Sequence, residues 1–194
     1  MVSVITYSDS ASVLLDWTYC TPLGITQATD AINSMKPERS TNLMAGIMTG
    51  FQKMGELPAG LDLTQYTLNL IVTTDGMPSS QWHPARGREG YAPLVTMATK
   101  KIVGSRGASA TPNVTAIGLG YELDSELLQK MSANFLHMPD PGAVGPFMVN
   151  LLAALRSTAV FANSTHGVAA NGAALVVTPG SALSADAVPG YAAP

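Results

Sequence analysis

Charged residues are scarce in this sequence. Asp, Glu, Lys and Arg make up 12% of its 194 residues, against about 25% in typical soluble domains, while apolar residues reach 46%. The formal net charge is −3, and no segment is rich in lysine or arginine. The sequence therefore lacks the basic surface that nucleic acids and anionic membranes attract. We expect neither kind of partner.

Cysteine is almost absent as well. Cys20 is the single cysteine, which excludes an intramolecular disulfide and a cysteine-rich zinc or iron–sulfur site. Residues 1–7 have no basic segment followed by an apolar one, so they predict a strand and not a signal peptide. The uncharged run 157–185 is interrupted by polar residues, glycine and proline, and it predicts no transmembrane helix. Together these features predict a cytoplasmic protein.

Short β-branched runs alternate along the chain with segments of helical periodicity. Strands are predicted at 2–7, 11–16, 66–74, 113–119 and 134–138, and helices begin near residues 25, 43, 91, 124 and 148. This alternation is typical of an α/β domain with a doubly wound, mostly parallel sheet and helices on both faces. From residue 163 the composition changes to Ala, Gly, Ser, Val and Pro. We therefore assign a domain to 1–162 and a tail or linker to 163–194, where residues 173–178 have the composition of one strand.

Two polar residues occupy positions where a ligand could bind. Asp75 follows the apolar run YTLNLIVTT, and ligands of parallel sheets gather at the carboxyl ends of strands. Thr41 stands before the second predicted helix, and its hydroxyl is a neutral oxygen ligand of the kind that Mg²⁺ accepts. Each also has a structural interpretation, since Asp75 could start a turn, and Ser40 or Thr41 could cap the helix.

The order of these segments resembles a von Willebrand factor type A domain. VSVITYSDSASVLLDW resembles the second and third strands of that family, and PERSTNLMAGIMTGF resembles its threonine-containing loop and following helix. LNLIVTTDGMPS resembles the strand that bears its acidic metal-site residue, and VTAIGLGYELDSELLQKMSA the next strand and helix. The segment from ANFLHMPDP to LLAALR resembles the closing strand and helix. The resemblance covers about residues 2–161.

The resemblance implies a metal-ion-dependent adhesion site. In that family Mg²⁺ is held by a D-x-S-x-S motif, a threonine and an aspartate, and it accepts a carboxylate from a partner protein. Thr41 and Asp75 match the threonine and the aspartate. Asp9 begins a similar segment, but Ala11 and Val13 occupy the two serine positions, so the motif has no match. Because Mg²⁺ gives up its water reluctantly, two of five ligands predict weak binding.

The strand that carries the missing motif is central in the 3-2-1-4-5-6 order of such sheets, and this chain is expected to begin at the second strand. An empty place would leave N–H and C=O groups unpaired on two inner strands, at about 1–3 kcal/mol for each buried group. Three explanations are open. They are a truncated product, a strand from another chain in a homo-oligomer or by strand complementation, and residues 173–178 folded back into the gap.

The sequence thus predicts a protein-interaction domain with a partial Mg²⁺ site at Thr41 and Asp75. The partner is a protein, bound through an acidic side chain. The alternative is a metal-independent structural or assembly module that pairs through exposed sheet edges.

An enzyme is the less favoured class. Cys20 could be a nucleophile with His83, His137 or His166 as its base, but one cysteine and scattered histidines occur in most chains of this size. No G-x-S-x-G, Walker A or H-E-x-x-H pattern is present. We therefore predict no catalytic residues.

Overall fold

Strands and helices alternate in the computed structural model, which describes residues 1–38, 40–58, 60–140, 142, 145–146, 148–151 and 153. The strands are β1 (Val2–Tyr7), β2 (Ala11–Thr18), β3 (Asn69–Thr74), β4 (Asn113–Leu119) and β5 (Asn134–Met138). The helices are α1 (Pro22–Asn33), α2 (Leu43–Gly55), α3 (Tyr91–Arg106) and α4 (Ser125–Met131). The predicted α/β class is confirmed. The described residues from 145 to 153 are helical where the last helix is predicted, whereas the tail 163–194, with its candidate strand 173–178, lies outside the described residues.

The five strands form two separate sheets. β1 and β2 are antiparallel and joined by a tight turn, with Tyr7 opposite Ala11. β3, β4 and β5 form a parallel sheet in that order, in which Ile117 of β4 pairs with Thr73 on one side and Leu136 on the other. No described residue forms a strand between β1 and β3.

Helix α2 joins the two sheets, because it packs against both. At Gly46 an added Cβ would lie only 2.8 Å from the Tyr7 ring, and at Gly50 one would lie 2.5 Å from Leu70 Cδ1. Glycine at both positions therefore lets the helix approach β1 and β3 closely. The buried apolar residues of α2, α3 and α4 and those of β3 and β4 form one core.

β1 and β3 end at the same edge of the molecule. The Tyr7 hydroxyl, at the end of β1, donates a hydrogen bond of 2.8 Å to the carbonyl oxygen of Thr73, near the end of β3. The backbone N–H of Asn42, which precedes α2, donates to the carbonyl oxygen of Ser8 at 2.7 Å. The two strands therefore run in the same direction although they are not paired.

Burial differs between β3 and β4, whose short, β-branched apolar sequences are typical of strands buried on both faces. In β4 the residues from Val114 to Gly118 are all buried, as expected. In β3 the prediction is wrong in part, because the strand begins at Asn69 and Thr73 is exposed. The reason is that β4 has a neighbour on each side, whereas β3 pairs only with β4 among the described strands.

Helix α1 leaves much of its apolar side exposed. Leu23, Ile25 and Ile32 are each more than half exposed, and Gly24 is the one buried residue of the helix. Its neighbours within the described residues are chiefly β1 and β2. Among the helices that the structure describes, none combines the length and the apolar character needed to cross a bilayer.

Candidate functional site

Three loops meet at the edge where β1 and β3 end. They are the β1–β2 turn, the segment before α2 and the turn after β3, and we call this surface the carboxyl edge. Its polar residues are Ser8, Asp9, Ser40, Thr41, Asn42, Asp75 and Ser79. These residues come from positions up to about seventy apart in sequence, so the fold and not the local sequence assembles them.

Asn42 is the buried centre of the carboxyl edge. Its side-chain oxygen accepts a hydrogen bond of 3.0 Å from the N–H of Ala45, which caps α2. Its side-chain nitrogen donates to the carbonyl oxygen of Asp9 at 2.7 Å. The predicted cap at Ser40 or Thr41 is therefore wrong. Asn42 takes this role because it lies one residue nearer the helix. Its side-chain amide can also form hydrogen bonds with α2 and with the β1–β2 turn at the same time.

Thr41 is fixed to the loop that follows β3. Its N–H donates to the Ser79 hydroxyl at 3.1 Å, and the N–H of Ser79 donates to the Thr41 carbonyl oxygen at 3.0 Å. A Cβ added to Gly76 would lie 3.8 Å from the Thr41 hydroxyl oxygen. The structure thus places the Thr41 hydroxyl beside the turn that carries Asp75.

Asp75 stands exposed on that turn. The preceding residue, Thr74, is buried, and its hydroxyl donates to the Gly76 carbonyl oxygen at 3.2 Å. Thr74 therefore holds the turn together through this hydrogen bond. The exposed Asp75 carboxylate is accessible to a cation from solvent.

Two further acidic residues are already engaged near the carboxyl edge. The Ser40 hydroxyl donates to a carboxylate oxygen of Asp9, and the Ser8 hydroxyl donates to the carboxylate of Glu38. Sequence spacing assigns Asp9 no role, since the serines of D-x-S-x-S are absent. Its partner Ser40 lies 31 residues away, a distance at which no local pattern could indicate the contact.

Tyr7 also lies at the carboxyl edge, although no sequence pattern indicates a role for it. Burial of its ring raises the pKa of Tyr7 to about 12, a hydrogen bond with the Thr74 side chain lowers it, and the Asp75 charge raises it further. The phenol therefore stays neutral at physiological pH. It serves as a hydrogen-bond donor between β1 and β3.

Thr41 and Asp75 carry a hydroxyl and a carboxylate oxygen, which are the ligand types that Mg²⁺ takes in proteins. Mg²⁺ prefers six oxygen ligands in octahedral geometry and commonly keeps several waters. In the described part of the chain, no three His, Cys, Asp or Glu side chains lie close enough together to hold a metal. These residues therefore do not by themselves complete a site of high affinity.

The residues of the enzyme alternative are dispersed. Cys20 is exposed, the His83 ring lies 3.4 Å from the Tyr91 hydroxyl, and the His137 ring lies 2.6 Å from the Gly120 carbonyl oxygen. Neither of these histidines is hydrogen-bonded to Cys20. His166 lies outside the described residues.

No family model and no curated protein matches this sequence. Solved structures are similar in fold. A von Willebrand factor type A structure from Catenulispora acidiphila has a TM-score of 0.58 and 12% identity, and the match covers 77% of this chain and 32% of that one.

Proximal thread matrix protein 1 from the mussel byssus has a TM-score of 0.55 and 14% identity, with coverage of 77% and 33%. A structure of that mussel protein with a zinc-occupied MIDAS motif, the metal-ion-dependent adhesion site, has a TM-score of 0.47 and 13% identity, with coverage of 83% and 34%. This chain therefore spans about a third of the length of these structures. What the comparisons show is a shared architecture: the described chain has the fold of a von Willebrand factor type A domain.

Proposed function

We propose that this chain is a protein-interaction domain and that the carboxyl edge is its binding surface. Thr41 and Asp75 contribute two oxygen ligands to a weakly held Mg²⁺, and a partner binds there through an acidic side chain. One observation carries the proposal. Two loops that are far apart in sequence place the Thr41 hydroxyl beside the turn of the exposed Asp75.

The rigidity of this edge supports a binding role. The Thr41 backbone forms two hydrogen bonds with Ser79, one to its hydroxyl and one from its N–H, and a hydrogen bond from Thr74 to Gly76 holds the turn after β3. A surface that is ordered before the partner arrives loses less conformational entropy on binding. Domains of this fold commonly mediate protein interactions, which agrees with this proposal.

The proposed role is non-enzymatic, because the described nucleophile and bases do not meet. We also place the protein in the cytoplasm. The support is the single cysteine, Cys20, which is free and exposed. An exposed free thiol suits a reducing compartment.

The metal part of the proposal is tested by thermal unfolding of the full chain with Mg²⁺ and with EDTA. An ion that binds only the folded state stabilises it by RT ln(1 + [L]/Kd), so Mg²⁺ at millimolar concentration should raise the midpoint. Asp75→Asn should abolish the rise. Asp30→Asn, which makes the same change of charge on the exposed surface of α1, should keep it.

Two results would overturn the metal part. One is a wild-type midpoint that is the same in Mg²⁺ and in EDTA. The other is an equal rise in wild type and Asp75→Asn.

A second candidate is a metal-independent assembly module. It is favoured by the two strand edges, on β1 and β3, that have no partner among the described strands. Unpaired edges readily accept a strand from another chain. Light scattering across a range of protein concentrations tests this function, and a monomer at every concentration contradicts it.

A further inference from the structure

A groove lies beside α3, at the opposite end of the parallel sheet from the carboxyl edge. Its volume is about 330 Å³, and small-molecule sites in proteins commonly measure roughly 300–1,000 Å³. Two of its lining residues, Pro112 and Ala133, stand directly before β4 and β5, at the amino ends of these parallel strands. The groove is therefore separate from Thr41 and Asp75.

The groove forms where α4 ends. Met131 is the last residue of α4, and two residues later the N–H of Ala133 donates to the carbonyl oxygen of Val114 at 2.9 Å. This bond joins the start of β5 to β4, and the methyl group of Ala133 leaves the adjoining space unfilled. Another wall of the groove is α3, which contributes Val95, Thr96, Thr99 and Lys100.

The floor of the groove is apolar. Val95, Val114 and Met131 are buried and belong to the core shared by the helices and the parallel sheet, and Pro112 is buried as well. Core packing therefore fixes these side chains. An apolar ligand that lies on them leaves water for a preformed apolar surface, which is favourable.

The polar side of the groove belongs to α3. Thr96 lies one helical turn before Thr99 and Lys100, so the three side chains are neighbours on the helix surface. The Thr96 hydroxyl donates to the carbonyl oxygen of Ala92 at 2.9 Å. Within the described part of the chain, by contrast, neither the Thr99 hydroxyl nor the Lys100 ammonium group has a hydrogen-bond or ion-pair partner. Both groups are free to bind a ligand.

We propose that this groove binds a small carboxylate with an apolar chain, of the chemical class of medium-chain fatty acids. The Lys100 ammonium group and the Thr99 hydroxyl donate to the carboxylate, and such charge-assisted hydrogen bonds are stronger than neutral ones. Among the described residues that line the groove none is acidic, so no like charge repels the ligand. The apolar chain lies on Val95, Val114 and Met131. This binding goes beyond the function proposed for the carboxyl edge and needs no metal ion.

Titration of the full chain with decanoate, below its micelle concentration and followed by NMR, tests the proposal. Lys100→Glu reverses the charge in the groove, and Lys101→Glu makes the same change at the next residue, which is exposed and does not line the groove. We expect Lys100→Glu to weaken decanoate binding roughly tenfold and Lys101→Glu to weaken it by no more than about twofold. In wild type the largest shifts should fall on residues 95–100 and 131–133.

Two further ligands separate the charge from the chain. Decanol has the same chain and no carboxylate, so it should bind wild type and Lys100→Glu alike, which also shows that the variant keeps a folded groove. Octanoate has two methylene groups fewer than decanoate and should bind up to roughly tenfold more weakly. Ala133→Trp places a large ring in the groove and should weaken binding of decanoate and decanol, whereas Ala85→Trp, at an exposed residue outside the groove, should not.

Three outcomes overturn the proposal. One is the absence of saturable decanoate binding to wild type. Another is equal weakening in Lys100→Glu and Lys101→Glu, which would assign the attraction to net charge and not to the groove. The third is binding of the protein to phosphatidylglycerol vesicles without binding of dissolved decanoate, because Lys100 would then belong to a membrane-contacting surface.

Discussion

The Tyr7 hydroxyl donates a hydrogen bond of 2.8 Å to the carbonyl oxygen of Thr73, which lies 66 residues further along the chain. This bond joins two sheets that share no backbone pairing in the described residues. The Tyr7 ring also lies against Gly46 of α2. One side chain therefore contacts β3 and α2 at the carboxyl edge.

Replacing Tyr7 by phenylalanine should lower stability modestly. Tyr7→Phe keeps the ring against α2 and removes only the hydroxyl, so the expected loss is about 1 kcal/mol in the free energy of unfolding. Urea denaturation measures it. Tyr121→Phe, at a residue that is 82% exposed, is the matched control and should change little. Equal stability of wild type and Tyr7→Phe would show that the bond contributes nothing.

Asn42 should matter more to stability than Ser40. Asn42→Ala removes the cap of α2 and the donor to Asp9, and the expected loss is about 1–3 kcal/mol. Asn42→Asp keeps the capping oxygen and loses only the donor, so it should fall between Asn42→Ala and wild type. Ser40→Ala should cost less than Asn42→Ala. The same denaturation experiment measures all three, and a Ser40→Ala loss as large as that of Asn42→Ala would contradict the assigned cap.

Stability should fall at alkaline pH because of two tyrosines. Burial raises the pKa of Tyr7 and of Tyr91 to about 12, and the charge of Tyr7 adds to the effect at Tyr91. In the unfolded chain the tyrosine pKa is about 10. The folded state therefore keeps protons that the unfolded state loses, so this stability is complete below about pH 10 and is lost as the pH rises through about 12.

The absorbance of tyrosinate measures this titration directly. Tyr7 and Tyr91 should ionise well above the usual tyrosine pKa of about 10, and Tyr7→Phe should remove one of these late transitions. The midpoint of urea unfolding should fall over the same pH range. If removal of Tyr7 left the tyrosinate titration of the folded protein unchanged above pH 10, the assigned burial of its phenol would be wrong.

Local patterns predict elements whose determinants lie within them. β5 occupies Asn134–Met138 and α2 begins at Leu43, both as predicted. A helix is predicted to begin near residue 124, and Asp124 caps α4 because its side chain accepts from the N–H of Leu127 within one helical turn. Helix periodicity and capping depend on residues three or four apart, and a sequence displays such spacings directly.

The cap of α2 shows where local patterns are insufficient. Ser40, Thr41 and Asn42 all have side chains that can cap a helix, so the sequence alone does not choose among them. The choice depends on the β1–β2 turn, whose carbonyl groups at Ser8 and Asp9 accept from Asn42. That turn is about thirty residues away in sequence.

The scarcity of charge, the single cysteine, the alternation of strands and helices, and the candidates Thr41 and Asp75 were all determined by the sequence. The tertiary structure decided that the Thr41 hydroxyl lies beside the turn of Asp75, that Tyr7 reaches Thr73, and that β3 has a neighbour on one side only among the described strands. The physical reason is the range of the interactions. Propensity and periodicity act between near neighbours, whereas hydrogen bonds between loops and the burial of a strand depend on which distant segments meet.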